Sequence, residues 1–164
     1  MTTTVDAVVI RGALNSTDAL CVVASLTGDV EVDIETELIY PYHCFDAHCS
    51  VPTLAGRKLL SLVCLVDAIN GLGATADAFE LQGQTVPVAT LMAATLGDDE
   101  AVGIASRTVA HHLGRKLRTI TSFDVDVRAR GLVHKRFWII RSSEARVMVD
   151  STTGNLHPLK LRAA

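Results

Sequence analysis

The chain has 164 residues, 49% hydrophobic and 4% aromatic, with a net charge of −3. That length suits a single domain over residues 1–164 whose core is filled mainly by Val, Leu, Ile and Ala, and the apolar content argues against disorder. An acidic balance gives no global signature of a nucleic-acid binder and no pull towards an anionic membrane.

The first residues, Met1-Thr2-Thr3-Thr4-Val5-Asp6, lack the basic and apolar regions of an export signal, and the apolar run 59–66 is too short to span a bilayer. The expectation is a cytoplasmic protein. In that compartment the four cysteines, Cys21, Cys44, Cys49 and Cys64, read first as buried thiols.

Residues 5–10 read as a short strand. Asn15, Ser16 and Thr17 offer a cap for a helix over 18–26 that closes at Gly28. Val30, Val32, Ile34, Leu38 and Tyr40 alternate with Asp29, Glu31, Asp33, Glu35 and Glu37, the period of a strand with one buried and one wet face. Pro41 predicts a bulge or an edge position. Residues 42–51 and 57–67 form a hairpin turning through 52–56, and the run 59–66 predicts a central strand covered on both faces.

The glycines between Ala68 and Gly83 predict turn and loop with a short strand near Phe79, and 88–96 predict one or two helical turns. Residues 99–117 form the long helix, opened by acids and closed by bases. Its expected buried stripe is Val102, Ile104, Ala105, Thr108, Val109, Leu113 and Leu117. A three-strand meander over 123–130, 134–141 and 146–150 completes the chain.

Both hairpin regions end alike, in Val66-Asp67-Ala68-Ile69-Asn70-Gly71 and Val149-Asp150-Ser151-Thr152-Thr153-Gly154. Either the chain holds two related halves, 1–83 and 84–164, or two ordinary strand ends share turn chemistry. The second half, with Met148-Val149-Asp150 and Thr153-Gly154 after a helix and strands, resembles the PepSY-like (cystatin-like) module over residues 100–158. The resemblance implies a helix across a curved antiparallel sheet and brings no activity with it. PepSY modules are typically extracytoplasmic, and this chain departs from them in lacking an export signal. As a whole the chain is similar to archaeal proteins, which again implies no activity.

Two constellations bear on chemistry. Cys44, Asp46 and His48 share one face of a strand, and a hairpin closing near Leu54 brings Cys64 roughly opposite Cys44, a set suited to zinc or to a reactive thiol. The spacing is not that of a zinc knuckle, and buried structural thiols are the favoured reading. Arg107, His111, Arg115 and Arg118 recur at helical spacing, flanked by His112 and Lys116. They would suit phosphate, RNA or an acidic partner, or form a solvated helix face. The acidic residues 29–37 carry the complementary sign, so the two surfaces could meet in a homodimer. Phe137-Trp138 invites base stacking but suits a strand core better. No phosphate loop, dinucleotide fingerprint or nucleophile elbow is present.

The residues therefore predict an α+β domain, an antiparallel meander packed against one long helix. Its expected role is non-enzymatic binding, of another copy of itself or of a protein partner, without nucleic acid or membrane. The rivals are a metal-binding or thiol-dependent protein and an anion binder.

Overall fold

The computed structural model describes residues 1–117 and 124–160. Its elements are β1 (Thr4–Ile10), α1 (Ser16–Thr27), β2 (Asp33–Thr53), β3 (Gly56–Asp67), β4 (Gly73–Ala76), β5 (Leu81–Pro87), α2 (Asp98–Leu117), β6 (Asp124–Arg141), β7 (Arg146–Asp150) and β8 (Leu156–Leu159). The chain is α+β with a large, mostly antiparallel sheet. This corrects the expected class: the sheet exceeds a meander, and the long helix is joined by α1, over the residues expected to be helical at 18–26. Among the described residues no helix is long and apolar enough to cross a membrane.

By its contacts the chain divides into two compact units. One gathers the described residues within 1–40, 80–92 and 134–164; the other gathers those within 41–79 and 93–133.

In the second unit β2 pairs with β3 from Tyr42↔Asp67 to Thr53↔Gly56, and β4 pairs with the other side of β3. The ladder runs through Pro52 and Thr53, so the turn is tighter than the sequence suggested. Helix α2 lays Ala101, Ala105, Val109 and Leu113 over Phe45, Ala47, Cys49, Cys64 and Val66. Val102 and Leu117, expected in that stripe, are 38% and 37% exposed. The alanines let the helix come close to the strands, and Gly73 extends that approach to β4, where a Cβ would collide with Thr108 Oγ1. Strand β3 is not covered on both faces as expected, because Leu59 is 82% exposed.

Pro41 makes neither bulge nor edge; β2 runs through it unbroken. Its carbonyl accepts the Ala68 N–H. In an antiparallel pair the same residue's N–H would return the bond to Ala68, and proline has none. The Ala68 carbonyl instead accepts Thr95 N–H and Leu96 N–H, which anchors the approach to α2.

In the first unit α1 starts at a capping box, with Asn15 Oδ1 accepting the Asp18 N–H and Asp18 accepting the Asn15 N–H, and stops at left-handed Gly28. It buries Ala19 and Val23 against Trp138, Ile140, Val147 and Val149. Strand β1 pairs antiparallel with β5 and meets β6 in a parallel bridge at Val9↔His134; Ala7, Val9, Ile39 and Val86 form a second cluster.

Val30, expected in a strand, is 94% exposed. The Asp29 carboxylate accepts Glu31 N–H, Ser143 N–H and Ser143 Oγ–H, bonds that hold this segment in a turn before β2 begins. The two strands expected over 123–130 and 134–141 are one, β6, which carries Gly131 at φ +99° and pairs through β7 to β8; Phe123 lies outside the described residues.

The paired strand ends match bond for bond. Asp67 Oδ1 accepts Ile69 and Asn70 N–H, as Asp150 Oδ1 accepts Thr152 and Thr153 N–H. Gly71 N–H reaches the Asp67 carbonyl as Gly154 N–H reaches that of Asp150. Ala68 N–H bonds Pro41 as Ser151 N–H bonds Arg136.

The two aspartates differ in burial and in charge partner. Asp150 is buried and holds Lys135 Nζ at 2.7 Å, so its removal takes the close carboxylate from a largely buried ammonium. Asp150→Ala is expected to lower unfolding free energy by about 3 kcal/mol, and Asp67→Ala by about 1 kcal/mol for its lost turn bonds. Urea titration of both variants measures the difference.

Candidate functional site

The cysteine and histidine segment lies in β2. Register pairs Cys44 with Leu65 and Cys64 with Phe45. Directly opposed residues share a face, so Cys64 lies with Phe45 beneath α2, while Cys44 shares the other face with Asp46 and His48. The hairpin therefore does not set Cys64 opposite Cys44, as the sequence reading expected. Asp46 lies 3.6 Å from Arg130 Nε, and exposed His48 places Nδ1 3.2 Å from Ser61 Oγ. Among the described residues no three His, Cys, Asp or Glu side chains are grouped to hold one ion.

The thiol chemistry points the same way. Burial pushes Cys44 and Cys49 up and carries Cys64 to about 11, so none offers a thiolate near neutrality. Cys21 is the exposed cysteine. At pH 8 a thiol reagent is expected to label the native chain at Cys21 alone, and Cys21→Ser to leave the native chain unlabelled; mass spectrometry of the labelled peptides reads the outcome.

Buried His43 joins β2 to the start of α2, with Nε2 2.9 Å from the Leu96 carbonyl and Nδ1 3.5 Å from Asp98 Oδ1. Trp138 belongs to the core under α1, and Phe137 meets Tyr40 edge-on at 6.1 Å. That aromatic pair has no face left for a nucleobase.

Charge is mostly spent within the fold. Glu35 accepts from Arg146 and lies 3.6 Å from Arg141, and Glu37 pairs with Arg136. Hydrogen bonds from Ser143 hold the Asp29 carboxyl below its ordinary range, and those from Arg146 do the same for Glu35. Much of the acidic face that was expected to attract another copy is thus engaged inside its own chain. A cavity of about 630 Å³ lies beside His48, Leu59, Ser61, Asp124 and Asp126, but Asp124 is paired with Arg57 and Asp126 with Arg128.

A groove of about 550 Å³ between α2 and β4 differs in this respect. Gly73, Ala74 and Thr75 form one wall; Thr108, His111, His112, Arg115 and Lys116 form the other. Thr75 Oγ1 lies 3.2 Å from His112 Nδ1, and Thr108 Oγ1 turns back to the Ile104 carbonyl. His111, Arg115 and Lys116 are exposed, and among the described residues no carboxylate pairs with either cation.

Of the helix residues singled out in the sequence, His111 and Arg115 line this groove. Arg107 folds back along the helix, its guanidinium 3.5 Å from where a Gly103 Cβ would stand. Arg118 lies outside the described residues. The opposite wall carries little signal in the sequence, because Gly73 with Ala74, Thr75 and Ala76 offers few β-branched residues and reads as loop.

No family model matches the chain, and neither a curated protein nor a solved structure does.

Proposed function

We propose that this chain is a non-enzymatic binding domain whose partner is anionic and occupies the groove between α2 and β4. One observation carries the reading: the distribution of paired and unpaired cations. Arg11, Arg57, Arg128, Arg130, Lys135, Arg136, Arg141 and Arg146 each have a carboxylate. Arg107, Arg115 and Lys116 on α2 have none among the described residues, in a chain whose net charge is −3; Lys58 and Lys160 are also without one, but only on α2 do such cations stand together on one element.

A favourable helix dipole alone would place bases at the end of any helix. Helix α1 has no base in its last turn, although it too covers the strands of its own unit. That contrast supports a role for the cations beyond helix stability. It gains weight from the repeated order β-α-β-β-β and the matched aspartate turns, which support reading 1–83 and 84–164 as copies of one ancestral segment.

Isotope-labelled protein titrated with polyphosphate and with polyglutamate is expected to show amide shifts at His111, His112, Arg115 and Lys116, weakening with salt. Reversing both cations in Arg115→Glu/Lys116→Glu turns two attractions of roughly 0.5 kcal/mol into repulsions, about 2 kcal/mol in all, or on the order of thirtyfold in affinity. No response to either polyanion would overturn the proposal.

A second reading is self-association through the face of β3 turned from α2. Exposed Leu59 aligns there with Val63 and Leu65, and with Ala74 and Ala76 across the ladder. Sedimentation across a concentration series is expected to show a dimer that Leu59→Lys dissociates, if this face is the one used.

A further inference from the structure

We infer that the anionic partner is an acidic polypeptide segment, bound in extended form as an added strand on β4. This rests on the anionic-partner reading above and names the partner's class.

Strand β4 is paired on one side, to β3, and among the described residues nothing pairs with its other side. The backbone groups that face outward can be identified. Asp67 N–H bonds the Leu72 carbonyl, which fixes that level of the ladder as hydrogen-bonded. Antiparallel pairs alternate between bonded and non-bonded, so Ala74 and Ala76 bond to Leu65 and Val63, while Gly73 and Thr75 turn their N–H and C=O away from β3. Those outward groups lie in the same groove as Arg115, Lys116 and the two histidines.

A groove with an open strand edge on one wall and cations on the other offers a peptide two kinds of contact. Main-chain bonds to Gly73 and Thr75 hold any extended segment, and the helix wall selects acidic side chains at alternate positions. A compact anion such as phosphate uses the cations and leaves the strand edge unused. A second copy's β4 would bring like cations together, which disfavours self-pairing at this edge.

The test uses the whole protein and a short peptide alternating Glu and Val. Two further peptides carry N-methyl groups on opposite sets of alternate amides. The parent is expected to bind and to slow hydrogen exchange at the Gly73 and Thr75 amides, whereas polyphosphate leaves those amides unprotected. One methylated peptide is expected to bind like the parent and the other on the order of tenfold more weakly, as loss of main-chain bonds on one edge requires. Equal binding by both methylated peptides would overturn the strand addition. So would slow exchange at Gly73 and Thr75 in the protein alone, since the edge would then already be occupied. Binding of polyphosphate without the parent peptide would sink this inference and leave the anionic reading standing; binding of neither would sink both.

Discussion

The close seating of α2 on its strands governs everything proposed for this chain. Ala101 and Ala105 are fully buried, and Gly73 has no side chain to keep Thr108 away. Larger residues at these positions would lift the helix, because interiors packed to crystal-like density cannot absorb even a methyl group without movement. The groove is what remains where this seating ends. From His111 onward the helix carries polar side chains beside β4, so one rigid contact sets both the width of the groove and the direction its cations face.

Electrostatics then separates the parts of the surface. An exposed ion pair contributes little stability, but it does occupy its charges. Glu35 with Arg146 and Arg141, Glu37 with Arg136, and Asp29 with Ser143 engage three of the five carboxylates of an acidic run that looked available in the linear sequence. The bases of α2 have no such engagement among the described residues. Availability of charge is therefore a tertiary property, which composition alone does not give.

Some of this architecture could be read from residues. The cap offered by Asn15, Ser16 and Thr17, the stop at Gly28 and the charge order of α2 are local signals, and each element formed close to where they placed it. The failures share a cause, which is that distant partners decided the outcome. Pro41 belongs in a central strand because Thr95 and Leu96 use the carbonyl its missing N–H would have served. Val30 stays out of β2 because Ser143, far along the chain, holds Asp29. Cys44 and Cys64 lie on opposite faces because the ladder places Phe45, not Cys44, across from Cys64. The helix half of the candidate groove was legible as a cationic stripe; its strand half was not, since four small or weakly strand-forming residues become an edge only through pairing to β3.

Each compact unit draws on segments far apart in the chain: the first needs residues near the start together with β6 and β7, and the second needs the β2–β3 hairpin together with α2. During synthesis, α1 therefore emerges well before Trp138 and Val149, the side chains that cover it. Its apolar face must wait in water until the residues through Val149 have left the ribosome. Such delayed closure slows folding and prolongs the exposure of sticky surface, the interval in which holding chaperones act.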